Sequence, residues 1–231
     1  MEEDEQLVDK LTLDDEDVDS SKEGNEEENE YIVDEVALKD RDVDLTEEQK
    51  EEFKKQANEL KNRGNDQFRE SDFTGATTTY TQALQICPLV FTKERAVLFA
   101  NRAAARTKFM NNKDPAVEDC TKAIELDSDY VKAYLRRAHL YEELDKLDEA
   151  IADFKKVLTF DPVHTESICA VKRLEPIISE RNEKLKEEML GKLKDLGNVI
   201  LKPFGLSTNN FQMEKDETTG GYSVKFNQNP T

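Results

Sequence analysis

Residues 129–162, DYVKAYLRRAHLYEELDKLDEAIADFKKVLTFDP, decide the fold of this 231-residue chain. The small, large and helix-breaking residues that anchor this stretch are Ala138, Ala150, Phe154, Val157 and Pro162. Small residues let two helices cross closely, larger ones fill the space between them, and proline does not continue a helix. The stretch therefore predicts one helix, a short turn and a second helix.

Two earlier stretches repeat this pattern at a period close to 34 residues. The anchors of the first are Gly64, Ala76, Tyr80, Ala83 and Pro88, and those of the second are Ala103, Ala116, Cys120 and Ala123, with Ser128 in the place of the proline. Residues 89–95 are inserted between them, and the turn at 111–115 has one extra residue. One such unit does not bury its apolar face alone, but three stacked units do. We predict an all-α chain of about seven helices.

The recurring residues resemble the tetratricopeptide repeat over about 57–164. The resemblance implies three repeats in an α-solenoid, in which the first helix of each repeat lines the concave face. We therefore expect residues 46–174 to hold the three repeats and a cap helix.

Polar residues at matching places in the three repeats form a candidate binding site. They are Lys61, Asn65, Asn101, Lys132 and Arg136. Asparagine amides, lysine ammonium groups and an arginine fork all donate hydrogen bonds, so the natural ligand of this donor set is a carboxylate, or two close together. Alternatively, these are ordinary solvated residues of helix surfaces. Nearby Arg69, Arg102 and Arg137 either add positive potential, or are surface charges or partners of Glu70 and Glu142.

The five donors resemble the carboxylate clamp of tetratricopeptide co-chaperones. In that family the clamp holds the C-terminal Glu-Glu-Val-Asp peptide of the 70-kDa and 90-kDa heat-shock proteins. The resemblance implies a peptide-binding adaptor or co-chaperone, with heat-shock protein 90, heat-shock protein 70 or both, and client or signalling proteins, as partners. The insertion moves Asn101 further along the chain from Asn65 than is usual in that family.

Charge is distributed very unevenly along the chain. Residues 1–45 hold 20 acids and four bases, whereas the rest holds 32 acids and 29 bases. We expect 1–45 to be a disordered acidic tail, because its isolated apolar residues bury too little surface to offset the entropy of ordering. Thr46 and Gln49 have the spacing of a helix capping box, which places the start of the folded body.

The C-terminal third contains a second candidate surface. Pro176 suits the first turn of a new helix, so we expect a long amphipathic helix over 175–202. Its apolar stripe is Leu185, Met189, Leu193, Leu196 and Ile200. The stripe either caps the last repeat or docks a partner. The second alternative makes the protein a signalling or client scaffold in which the donor set is incidental. Residues 203–231 form a tail in which 211–226 fit a small β-hairpin.

Composition argues against several other classes. No apolar run of 18 residues and no leader-type N-terminus occurs, three scattered cysteines give no disulfide framework, and the acidity disfavours nucleic acid. His139 and His164 lack metal-ligand spacing, and no phosphate-binding loop or catalytic set is present. We expect a cytosolic monomer without cofactor, metal, enzymatic activity or membrane binding.

Overall fold

The computed structural model describes residues 31–215 and 222–227. Within these residues the chain forms eight α-helices and two β-strands. The helices are α1 (Glu35–Val43), α2 (Glu47–Arg69), α3 (Phe73–Ile86), α4 (Thr92–Phe109), α5 (Asp114–Leu126), α6 (Val131–Glu143), α7 (Leu147–Phe160) and α8 (Thr165–Leu201). The strands are β1 (Phe211–Lys215) and β2 (Tyr222–Phe226). The predicted all-α class of helix–turn–helix repeats is confirmed.

The chain divides into two compact units, one ending at Leu140 and the other beginning at Tyr141. In the first unit, α2 packs on α3, α3 on α4, and α4 on α5. Their shared core includes four of the residues that anchor the repeat, Ala76, Tyr80, Ala83 and Ala123. The small residues of the repeat pattern therefore lie where helices approach, as the sequence predicts.

The capping box at the start of α2 is present as predicted. The Thr46 hydroxyl accepts a hydrogen bond from the Gln49 N–H at 3.2 Å, and the Gln49 side chain accepts one from the Thr46 N–H at 2.8 Å. Two of the unpaired N–H groups at the helix end are thereby satisfied.

The expectation of a disordered tail over 1–45 is wrong for its last third, because α1 lies in it. Asp34 caps this helix, and Leu38 is buried. Polar contacts to distant residues hold it: Arg41 donates to the Gln85 carbonyl at 3.0 Å, and Asp42 accepts from the Leu89 N–H at 2.6 Å. The prediction of disorder rests on the scarcity of apolar residues, which does not reveal these polar contacts. Residues 1–30 lie outside the described part of the chain.

The residues inserted between the first two repeats lengthen α4 at its start and bury an arginine. Arg95 is fully buried, and its Nη1 donates to the carbonyls of Leu84 and Cys87, both at 2.8 Å. These carbonyls lie at the end of α3, where the helix itself supplies no further N–H donors. The insertion therefore closes the end of the first repeat.

A buried ion-pair network joins α4 and α5. Asp119 accepts from Arg102 at 2.7 and 2.9 Å and from Arg106 at 3.0 Å, and Arg102 also donates to the Tyr31 carbonyl at 3.0 Å. The suggestion that Arg102 adds charge to the candidate site is therefore wrong, since it is buried and already paired. Arg69 pairs with Asp66, and Arg137 donates to Thr121 at 3.0 Å.

In the second unit, the predicted break between a cap helix and a new helix at Pro176 is wrong. Helix α8 runs without interruption from Thr165 to Leu201. Proline removes one helical N–H, which weakens the helix locally. Ion pairs to α7 lie on both sides of the proline, Lys155–Glu175 at 2.9 Å and Arg181–Asp148.

The predicted C-terminal hairpin is present. β1 pairs antiparallel with β2, and Phe211 lies opposite Phe226 with ring centroids 5.5 Å apart. A hydrogen bond of 2.8 Å from the Asn227 N–H to the Asn210 carbonyl extends the pairing at its open end. The predicted turn between the strands lies outside the described residues.

Candidate functional site

Three helices of the first unit carry the five predicted donors. Lys61 and Asn65 lie one turn apart on α2, Asn101 lies on α4, and Lys132 and Arg136 lie one turn apart on α6. Residues four apart share one face of a helix. Each pair therefore presents both of its side chains from the same side of its helix.

Asn65 is at the centre of a hydrogen-bonded group. Its side-chain oxygen accepts from the Tyr80 hydroxyl at 2.7 Å and from the Asn101 amide nitrogen at 3.1 Å. The second contact joins α2 to α4 across 36 residues of sequence. The insertion between the repeats therefore leaves Asn101 within reach of Asn65.

These residues line a cavity of about 310 Å³. Its lining residues are Asn65, Phe68, Arg69, Tyr80, Asn101, Ala104 and Arg136. Three of the five predicted donors thus share one cavity. Lys61 and Lys132 are not among its lining residues: Lys61 donates to the Asn58 side chain at 2.7 Å, and Lys132 is exposed.

Arg136 is held beside the asparagines by the backbone of α4. Its Nη1 donates to the carbonyl of Ala100, the residue before Asn101. A guanidinium has five N–H donors, so this bond leaves several for a ligand. The orientation of the fork is therefore set before any ligand arrives, which lowers the entropy lost on binding.

The charged groups that line the cavity are positive, although Asp66 partly neutralises Arg69 through an ion pair of 2.9 Å. Two guanidinium groups line the cavity, and no carboxylate is among its lining residues. Burial raises the pKa of Tyr80 to about 12, although the charges of Arg136 and Arg69 act in the opposite direction. Tyr80 is therefore a neutral hydroxyl at physiological pH, and it donates rather than competing for the cations.

A larger cavity of about 700 Å³ lies elsewhere in the first unit, between residues 31–35 and helices α4 and α5. Its two arginines, Arg102 and Arg106, are paired with Asp119. Four further carboxylates line it, those of Glu35, Asp114, Glu118 and Glu125. It therefore lacks the excess of donors that distinguishes the smaller cavity.

Sequence reasoning missed the contribution of Tyr80, Phe68 and Ala104 to the cavity, whereas Arg69 is one of the nearby arginines that it names. The pairing of Gly64 with Tyr80 was the available signal. A Cβ at Gly64 would lie 2.7 Å from a carbon of the Tyr80 ring, so only glycine lets the ring lie across α2 and bring its hydroxyl to Asn65. As repeat anchors, the two residues predict close packing but not this hydrogen bond.

The predicted stripe on α8 is exposed throughout. Between 49% and 70% of the surface of each of its residues is accessible; they are Leu185, Met189, Leu193, Leu196 and Ile200. The residues of α8 that are buried, Ser167, Ala170 and Leu174, all precede Pro176. The stripe is thus a separate apolar surface within the second unit.

No described helix combines the length and apolarity needed to cross a bilayer. Within the same residues, no three His, Cys, Asp or Glu side chains are grouped as metal ligands.

Comparisons with known proteins indicate the same repeat family as the helix pairs do. The tetratricopeptide repeat family model matches residues 131–163. Human DnaJ homolog subfamily C member 7 is 42% identical over 97 residues, which are 42% of this chain and 19% of that protein. The chain thus spans about a fifth of the length of this curated relative.

Two solved structures are similar over about half of the chain. The second tetratricopeptide domain of human RPAP3, in complex with the HSP70 peptide SGPTIEEVD, is 36% identical, with coverage of 52% of this chain and 95% of that one and a TM-score of 0.46. The first such domain of Spaghetti, bound to the HSP90 peptide SRMEEVD, is 31% identical, with coverage of 53% and 95% and a TM-score of 0.48. From its repeated helix pairs and these sequence relations, the chain belongs to the tetratricopeptide repeat family.

Proposed function

We propose that the protein is a co-chaperone adaptor whose first unit binds an acidic C-terminal peptide through a carboxylate clamp. The observation that carries the proposal is the cavity shared by Asn65, Asn101 and Arg136. It offers amide and guanidinium donors, and no carboxylate is among its lining residues. Such a site is complementary to a carboxylate and repels cations.

The roles we propose for the five donors follow from their positions. Arg136 grips one carboxylate of the peptide through the N–H groups that Ala100 does not use. Asn65 and Asn101 donate amide N–H groups to the same ligand. Lys61 and Lys132, outside the cavity lining, supply charge to a second carboxylate, that of the last aspartate side chain. Lysine suits this role because its long, flexible side chain can bring the ammonium charge to a ligand from many directions.

The partners we propose are heat-shock proteins 70 and 90. The peptides bound to the RPAP3 and Spaghetti domains both end in Glu-Glu-Val-Asp. Identities of 36% and 31% to those domains support a ligand of the same kind here. The stretch 181–211, outside the repeats, resembles the co-chaperone-type family member tetratricopeptide repeat protein 1 in sequence, which supports the same proposal.

The remaining features of this proposal come from sequence. The protein acts in the cytosol as a monomer that presents client proteins to the chaperones. It catalyses no reaction, uses no cofactor or metal, and binds neither nucleic acid nor membrane. These statements stay predictions.

Charge reversal at Lys132 tests the proposal. Lys132 is exposed, so Lys132→Glu leaves the fold intact while it places a negative charge beside the ligand. We expect calorimetry with a Glu-Glu-Val-Asp peptide to show at least a tenfold loss of affinity. Lys108→Glu, at an exposed position of α4, is the matched control and should bind as the wild type does. Equal affinity of both variants would refute the clamp.

The exposed stripe of α8 supports a second candidate function, in which the protein scaffolds signalling or client proteins through this helix. Exposed apolar side chains in a row mark interaction surfaces. Met189→Ser with Leu193→Ser should abolish the suppression of light scattering by heat-denatured citrate synthase, while affinity for the Glu-Glu-Val-Asp peptide stays unchanged. Lys192→Ser with Lys194→Ser is the control. Unchanged suppression by the apolar variant would eliminate this function.

A further inference from the structure

The buried hydroxyl of Tyr80 contacts Asn65 in the candidate site. Tyr80 is 2% exposed, and its hydroxyl donates to the Asn65 oxygen at 2.7 Å. The Asn101 amide donates to the same oxygen at 3.1 Å. An amide oxygen has two lone pairs, so both are occupied. The Asn65 NH₂ group makes no hydrogen bond to any described residue, and its two donors are available to a ligand.

This orientation of the Asn65 amide opposes the local electrostatic field. Arg136 and the Asp66-paired Arg69 line the same cavity, and a guanidinium charge attracts a carbonyl oxygen and repels N–H groups. Without another constraint, the amide of Asn65 would turn its oxygen toward the arginines. An oxygen there would repel the carboxylate that the site is proposed to bind.

Tyr80 supplies the constraint. Its bond to Asn65 is the single hydrogen bond of this hydroxyl among the described residues, so a turned amide would leave a buried proton without an acceptor, which is costly. Because burial holds the pKa of Tyr80 at about 12, the hydroxyl keeps its proton over the physiological range. Asn101 alone is insufficient, since its own amide is free to turn together with that of Asn65.

We propose that Tyr80 is a positioning residue that fixes the Asn65 amide with its donors toward the ligand, and so makes the site select a carboxylate over a carboxamide. The selectivity rests on the proposed function, whereas the orientation of Asn65 does not. Gly64 belongs to the same arrangement, because any side chain there would displace the ring.

The experiment uses the full chain with Tyr80→Phe, which removes one oxygen and keeps the ring. The affinities of a Glu-Glu-Val-Asp peptide with a free and with an amidated C-terminus are measured by calorimetry. We expect the free-acid peptide to bind about tenfold more weakly to the variant, since one orienting hydrogen bond is lost. The amidated peptide should bind the variant as it binds the wild type. The ratio of the two affinities should therefore fall about tenfold, which loss of packing alone would not produce.

Two control variants isolate the hydroxyl. Tyr130→Phe removes the hydroxyl of a second tyrosine, which is only partly buried and on which the charge of Arg136 also acts, and should leave the ratio unchanged. In an Asn65→Ala background, Tyr80→Phe should have no further effect on the ratio. A further loss in that background would show that Tyr80 does not act through Asn65.

A measurement without ligand separates this inference from the proposed function. The side-chain NH₂ resonances of Asn65 and Asn101 should shift in Tyr80→Phe and not in Tyr130→Phe. Unshifted resonances would overturn the positioning role, whatever the peptide does. If the wild type bound neither peptide, the clamp would fail, and the resonances would still decide whether Tyr80 orients Asn65.

Discussion

A single residue, Asp119, balances two buried positive charges in this fold. It is the shared carboxylate of Arg102 and Arg106, both at least nine-tenths buried. Asp119→Ala would leave both buried guanidinium groups without this carboxylate. We expect a loss of about 3–5 kcal/mol in the free energy of unfolding, measured with urea. Glu118→Ala, at the exposed neighbouring position, should cost less than about 1 kcal/mol. Equal effects would mean that the network contributes little.

The cysteines give a second prediction at this scale. Cys87 is fully buried, and burial raises the pKa of its thiol to about 11, whereas Cys169 is exposed. The thiolate is the reactive form, so the native chain at pH 8 should react with iodoacetamide at Cys169 and not at Cys87. Peptide mass mapping reads the sites, and labelling in denaturant is the control. Equal labelling of both cysteines in the native chain would contradict the burial.

What sequence reveals of the candidate site also differs from residue to residue. The donors Asn65, Asn101 and Arg136 are found because their types recur at fixed positions of a repeat. The bond from Tyr80 to Asn65 joins two helices, and no periodicity indicates it. The separation of Lys61 and Lys132 from the cavity depends on side-chain direction, which repeat phase does not define.

Among the elements, α1 differs most from expectation. A helix of nine residues is unstable alone, so its stability comes from contacts with α3 and with the inserted residues. Asp42→Ala removes the acceptor of the Leu89 N–H and a partner of Arg41. We expect faster amide hydrogen exchange over 35–43 and little change in the core of the first unit. Asp40→Ala, on the exposed side, is the control, and equal exchange in both variants would contradict this role.

Helix α8 is the other element that the sequence predicts incorrectly, as two helices with a break at Pro176. The rule that proline starts a helix is local, whereas α8 also contacts α7 through ion pairs on both sides of Pro176. Lys155→Ala combined with Arg181→Ala should raise hydrogen exchange around Pro176 and leave the start of α8 protected. Lys186→Ala combined with Lys192→Ala is the matched control. Unchanged exchange in the first variant would mean that α8 tolerates Pro176 without α7.

At the scale of the whole molecule, the two units carry different proposed surfaces. All five donors belong to the first unit, and the exposed stripe of α8 belongs to the second. The repeats and the hairpin could be predicted, because period, small residues and alternation are encoded locally. The position of α1 and the buried arginines could not, because they depend on contacts between residues far apart in sequence.

We propose that the first unit recognises a C-terminal carboxylate. Calorimetric titration of the wild type with a Glu-Glu-Val-Asp peptide, beside the same peptide amidated at its C-terminus, tests it most directly. We predict binding of the free acid near the micromolar range, about −8 kcal/mol, and at least tenfold weaker binding of the amide. Equal affinity for the two peptides, or binding of neither, would contradict the account.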